Sequence, residues 1–325
     1  MPGHDANTRR RFTGAALSLA VALAVVVAVA ACGGAGGGAG AAKQLLAETF
    51  SGTHNVTSGD VSVELSIERS GSSPQAGPVT VSLGGPFQSR GPGRLPASSF
   101  TVTLAGEGKR GSIVILSTGT AGYVMLRGAG YRLPAATFQR LEASFAELSS
   151  ASSGGSGAGT LATLGIHPLQ WLRNATVVGS HDFVGGAGTT HIRAGVDVAA
   201  LVADLSTFLR HASAVGASGT ERFSSGLSAS ARGRIVKAIH DPTVDVWTGT
   251  ADKTLRRLQV ALRATFPGQS PTVAGTGTAA IGLTIQYAEL NQPQTITAPA
   301  TVQPYTELAG QLRAFERPLE SVAGT

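Results

Sequence analysis

The side chains best suited to proton transfer or metal binding in the main body of the chain are His54, His167, His181, His191, His211 and His240. Their spacing works against both roles. None stands in a His-Glu-x-x-His pair or a short His/Cys cluster, the arrangements that place two ligands on one helix face or one turn. His181-Asp182 and His191 could meet across a hairpin as an imidazole oriented by a carboxylate. The plainer reading makes them polar residues on strand ends. Asp245 and Asp252 could pair as acid and base, with no second feature to support catalysis. No Gly-x-Ser-x-Gly turn offers a serine nucleophile. Gly185-Gly186-Ala187-Gly188 has the glycines of a phosphate loop without its lysine or following helix, so it reads as a hairpin turn. The chain is therefore not expected to be an enzyme, and no cofactor or metal is expected.

One further reactive group exists, because Cys32 is the only cysteine. It follows Arg9-Arg10-Arg11 and an apolar run from Ala15 to Ala31 broken only by Ser18. A basic start, an apolar run and small residues at its end make a secretory signal peptide. As an uncleaved membrane helix the run is marginal, since a span needs about 20 apolar residues. Val29-Ala30-Ala31-Cys32 resembles the bacterial lipobox. That resemblance implies cleavage between Ala31 and Cys32 and a lipid on the Cys32 sulfur. Two or more acyl chains hold a protein firmly where one does so marginally. The expected location is the cell membrane, lipid-anchored, on its extracytoplasmic face. Arg9 and Arg10, within Thr8 to Phe12, also resemble a twin-arginine export signal, and the general secretory route stays open beside it.

Removing residues 1–31 takes away three Arg and Asp5, which leaves 22 basic and 18 acidic residues and a charge of +4. No Lys/Arg block and no basic-aromatic interleaving remain, so a nucleic-acid partner is not expected. Residues 32–42 read as the lipidated Cys and a flexible Gly/Ala tether. Residues 43–310 read as one folded domain and 311–325 as a tail.

The elements follow from periodicity. Val61, Val63, Leu65 and Ile67 alternate with polar residues, as do Val79-Val81-Leu83, Phe100-Val102-Leu104 and Ile281-Leu283-Ile285-Tyr287. Gly111-Ser112 leads into Ile113 to Leu116, and Leu258, Val260 and Leu262 share a face. Helical spacing marks Lys43 to Phe50, then Phe138, Leu141, Phe145 and Leu148, and then Val198 to Phe208 behind a cap at Asp197. Ser149 to Thr160 reads as a loop or a break. Glycine makes up 44 of 325 residues, about twice the usual share, which favours many turns over a helical bundle. These features predict an α+β fold. It consists of one highly curved antiparallel sheet of roughly ten strands, with amphipathic helices on its concave face.

Three stretches resemble the LppX/LprG group of actinobacterial lipoproteins, whose half-barrel is like that of the LolA lipoprotein carrier. They are Leu164 to Leu172 with Gly179 to Gly186, Val244 to Gly249 with Leu255 to Leu258, and Ile285 to Pro293 with Ile296 to Pro299. The resemblance implies binding and transfer of lipidated molecules, with a lipid or glycolipid as ligand and no bond chemistry. Phe100, Val102, Leu104, Ile113 and Ile115 are then candidates for the sheet wall of a cavity, and Phe138, Leu141 and Phe145 for its helix wall. An ordinary filled core would use the same apolar faces. The chain would then be an interaction or sensor module of the envelope, with an unknown partner protein.

Overall fold

The computed structural model describes residues 39–50, 54–69, 78–106, 108–153, 167–214, 225–267 and 276–308. Arg9, Arg10, Ala31 and Cys32 lie outside the described residues, as do the signal segment and the tail expected at 311–325.

The strands are β1 Ser58–Arg69, β2 Val79–Gln88, β3 Ala97–Gly106, β4 Lys109–Ser117, β5 Gly122–Leu126, β6 Ala129–Arg132, β7 Leu172–Val184, β8 Ala187–Val196, β9 Ile239–Gly249, β10 Leu255–Pro267, β11 Thr276–Ala288 and β12 Val302–Gln303. They form one sheet in the order β12-β6-β5-β4-β3-β2-β1-β11-β10-β9-β8-β7. Two meanders, β1 to β6 and β7 to β11, are joined side by side by the antiparallel pair β1–β11. Hairpin connections keep neighbours in sequence adjacent in space. β7 and β12 are the free edges, so the sheet is open.

The sheet has twelve strands where roughly ten were expected. β6 and β12 are too short to show alternation, and β12 pairs in parallel with β6, the one exception to an antiparallel sheet. Register puts one apolar set on one face. Val63 stands between Ile285 and Leu83, Leu65 between Leu283 and Val81, and Ile67 between Ile281 and Val79. Ile285 in turn faces Leu258, which faces Val246, which faces Ile192.

The β7–β8 turn reaches across to β11. Gly185, in the β7–β8 turn, lies against Tyr287 of β11 although β9 and β10 intervene. Its φ of +60° and the 1.9 Å that would separate a Cβ from the Tyr287 carbonyl oxygen both require glycine. The run Gly185 to Gly188 is thus a hairpin turn and the start of β8.

Helix α1, Ala39–Phe50, starts four residues before the expected Lys43, inside the stretch read as tether. Gly40 is followed by Ala41 and Ala42, and alanine has the highest helix propensity. Ala42 and Leu46 of α1 are fully buried on the apolar face, with Val61, Val63, Leu83, Ile192, Val244, Val246, Ile285 and Tyr287. Burying one such leucine contributes about 2 kcal/mol. Helix α2, Ala135–Ser153, runs through the first residues of the Ser/Gly stretch that reads as a loop, and residues 154–160 lie outside the described set. Helix α3 is Pro168–Trp171, α4 is Val198–Ala214 and α5 is Ala229–Ala238.

Asp197 caps α4. Its Oδ1 accepts from the Ala200 N–H at 3.0 Å, and Arg173 donates to Oδ2 at 2.9 Å. These two bonds, the backbone one foremost, hold its carboxyl below the ordinary aspartate value. Val202, Ser206 and Leu209 are the deeply buried residues of α4, while Val198, Leu201 and Leu205 of the expected face are half-buried.

Candidate functional site

The apolar face is covered unevenly. Burial falls along β1 and β2 from one end to the other, while on β10 and β11 a half-buried stretch is followed by buried Ala264 and Ala279. On β1, Val61 is 0% exposed and Val63 6%, whereas Leu65 and Ile67 are half-buried. On β11, Ile285 is 1% exposed, and Leu283 and Ile281 are half-buried. On β2, Leu83 is buried, and Val81 and Val79 are half-buried. On β10, Leu258, Val260 and Leu262 are all half-buried. Register aligns these gradients, because Leu65, Leu283 and Val81 form one row and Ile67, Ile281 and Val79 the next. The end that holds Val61, Ile285 and Leu83 is closed by α1. The end that holds Ile67, Ile281, Val79 and Leu262 is the open half of the face.

Polar contacts secure the closed half. Thr49 of α1 donates to the Leu45 carbonyl at 2.7 Å and its hydroxyl lies 2.9 Å from that of Thr248 on β9. Glu48, on the same turn, is buried. In the β9–β10 hairpin, Arg256 donates from Nη2 to Asp252. Burial works against the Asp252 carboxylate, but the Thr254 hydroxyl and N–H, Arg256 and His54 outweigh it, so its pKa stays below the ordinary value. Burial pushes the Tyr287 phenol well above the ordinary tyrosine value, so it stays neutral.

The residues expected in the sheet wall share this face. Phe100 lies opposite Ile115, Val102 lies between Leu83 and Ile113, and Leu104 lies between Val81 and Gly111. Phe100 and Val102 pack against the main core. Ile113 packs on a second small cluster formed by Leu126, Tyr131 and Leu308. Ile115 is 38% exposed and Leu104 is half-buried.

The helix-wall residues divide. Phe138 is buried over Gly122 of β5, where a Cβ would come within 3.0 Å of its ring. Leu141 is 49% exposed and Phe145 is half-buried. The open half also contains Leu65, Ile67, Val79, Val81, Val260, Leu262, Ile281 and Leu283, which sequence reasoning placed on strands but not in the wall. Their alternation was visible. Which end of each strand lies open depends on where α1 sits.

The opposite face carries a histidine–carboxylate group, separate from the His167–Asp204 pair, whose ring nitrogen and carboxylate are 3.3 Å apart. His191 of β8 stacks on Trp247 of β9, with ring centroids 4.1 Å apart and planes 12° apart. His191 Nε2 is 2.6 Å from Asp245 Oδ1 and its Nδ1 is 3.7 Å from Asp182 Oδ2. Arg193 donates to Asp245 at 2.8 Å and Trp247 Nε1 to Asp182 at 2.8 Å. Arg257 of β10 lies over the Trp247 ring and donates to Gln286 of β11. His191 and Asp182 thus meet across the β7–β8 hairpin. Every partner in the group is engaged within the sheet, which makes it a cross-strand lock over β7 to β11. Asp245 and Asp252 have separate partners and do not pair. Among the described residues no group of three or more His, Cys, Asp or Glu could hold a metal ion. No described helix is long and apolar enough to cross a membrane, which says nothing of strands.

No protein-family model and no curated protein sequence matches the chain. Among solved structures it is similar to LprF from Mycobacterium bovis, with 12% identity and a TM-score of 0.36 over 76% of this chain and 90% of that one. It is also similar to a DUF1329 family protein from Desulfovibrio piger, with 8% identity and a TM-score of 0.18 over 74% of this chain and 88% of that one.

Proposed function

We propose that this protein binds the alkyl chains of a lipid or glycolipid on the open half of its apolar face and carries them outside the cytoplasmic membrane. In this reading the lipidated Cys32 tethers it there. The observation that carries the reading is the fall in burial along β1 and β2, beside the half-buried Leu283 and Ile281 of β11. A filled core would bury both ends of those strands alike. Here one end is sealed by α1, and a wide row of aliphatic side chains stays half-buried at the other. An alkyl chain laid on that row gains about 0.8 kcal/mol for each CH₂ removed from water. The protein holds and releases its ligand by burial alone and makes or breaks no bond.

The test is mass spectrometry of the protein purified without detergent, before and after solvent extraction, beside the variants Leu104→Gln and Phe145→Gln. A co-purifying lipid that is reduced in folded variants supports the reading. Undiminished lipid in both folded variants would overturn the site. No lipid on the parent protein, even after incubation with envelope lipids, would favour the interaction module.

A further inference from the structure

We propose that the open end of the sheet docks on an anionic lipid surface, so that the mouth of the apolar face points at the bilayer. The inference deepens the lipid-carrier reading and rests on it for its purpose, though the charge distribution stands independently.

Strand register collects the ends. Ile67 of β1 pairs with Val79 of β2, which lies against Gly106 of β3, which pairs with Lys109 of β4. One step further out, Arg69 pairs with Ala279 of β11, which pairs with Ala264 of β10, which pairs with Ile239 of β9. Arg263 pairs with His240 on the same rim. Lys237 lies in the last turn of α5, two residues before β9 begins. Arg69, Lys109, Arg110, Lys237 and Arg263 are all exposed there. The described carboxylates at this end include Glu68, Asp241, which is 3.6 Å from Arg263, and Asp197, which is paired with Arg173 at 2.9 Å. At the closed end, Asp60, Asp252 and Glu289 offset three of the four cations Arg90, Arg94, Lys253 and Arg256. The molecule therefore has a more basic end and a less basic end, and the more basic end is the one where the aliphatic row is half-buried.

Cations within a Debye length of an anionic leaflet each strengthen attachment about fivefold. A basic rim around an apolar mouth matches a bilayer surface, where phosphates lie over acyl chains. It brings the half-buried row to the plane from which a lipid would enter.

The test uses the full chain with Cys32→Ala, inserted in vesicles that carry a headgroup-linked quencher. A single fluorophore is placed at Ser112→Cys, near the basic end, or at Gln292→Cys, near the other end. With about one third phosphatidylglycerol in phosphatidylcholine, the Ser112→Cys label is expected to be quenched several-fold more than the Gln292→Cys label. The difference should vanish on pure phosphatidylcholine, in about 1 M salt, and in the triple variant Lys109→Glu, Arg110→Glu, Arg263→Glu. Equal quenching of the two labels on anionic vesicles, or a difference that persists on pure phosphatidylcholine, overturns the proposal. A polyene fatty-acid probe separates this from the carrier reading. The triple variant should bind the probe as the parent does. A parent that docks but binds no probe would refute the carrier reading and leave docking in place.

Discussion

The two halves of the apolar face are built from the same strands with the same alternation, yet they have different fates. In the closed half, Val61, Val63, Leu83, Val246 and Ile285 are buried beneath Ala42 and Leu46 of α1, and the Thr49–Thr248 contact fixes the end of that helix. In the open half, Leu65, Ile67, Val79, Val81, Ile281 and Leu283 continue the rows half-buried. The fold's stability should therefore be concentrated at one end of its strands, which leaves the other end free to exchange its cover. A protein that must accept and release an apolar ligand needs that separation, because a site that supplied most of the folding energy would unfold when emptied.

The strongest way to break this comparison is to truncate one residue in each half. Leu46→Ala in α1 should destabilise the protein by about 3 kcal/mol, since it leaves a cavity in a packed cluster. Leu283→Ala on the open half should cost about 1 kcal/mol, since part of that side chain already faces away from packing. Denaturant midpoints of the two variants, stripped of lipid, measure the contrast. Equal losses would mean that the open half is ordinary core. Added lipid should then raise the midpoint of the parent more than that of Leu283→Ala.

Gly185→Ala probes the contact of the β7–β8 turn with β11. The new methyl would meet the Tyr287 carbonyl at a left-handed backbone position, so the turn must lift from β11. The expected cost is about 2 kcal/mol, read as a lower thermal midpoint. A neutral result would show that the hairpin tip does not need its contact with β11.

Asp245→Asn sharpens the comparison from the other side of the sheet. It weakens the contacts to His191 and Arg193 on the polar face and should cost about 1 kcal/mol. Lipid binding should be unchanged, because these residues point away from the apolar rows. A loss of lipid in the folded variant would place the binding site on the wrong face.

Much of this architecture was legible in the residues. The alternation at Val61 to Ile67 and at Ile281 to Tyr287 marked both strands and their buried face, and Asp197 marked the start of α4. Gly185-Gly186 marked a hairpin turn, because two residues at positive φ suit glycine. What could not be read was pairing at a distance. β1 and β11 are more than two hundred residues apart, and nothing local tells Val61 that Tyr287 will face it. The same limit applied to the site. Phe100, Val102 and Leu104 alternate in sequence and share a face with Ile113 and Ile115 through register, while the half-buried rows on β1, β2, β10 and β11 depend on how far α1 reaches. Leu141 sits at helical spacing with Phe138 and Phe145 and is 49% exposed, a difference that spacing alone does not carry.

The smallest effect concerns charge at the closed end. Asp60 is half-buried near the start of β1, and burial, followed by the negative charge of Glu289, raises its pKa above the ordinary aspartate value. A group whose pKa is raised on folding binds its proton more tightly in the native state. Its contribution to stability is thus fully present below the unfolded pKa and is lost as the pH rises through the folded one. Asp60→Asn removes that loss. The variant should match the parent in acid and become slightly more stable than it as the pH climbs past the carboxylate range toward neutrality. The gain should stay small because water reaches much of the side chain. Thermal midpoints of the pair across that range are the measurement. A parent curve that rises with pH relative to the variant would mean that Asp60 is stabilised as a carboxylate, and the closed end would then hold a favourable charge where burial and Glu289 place an unfavourable one.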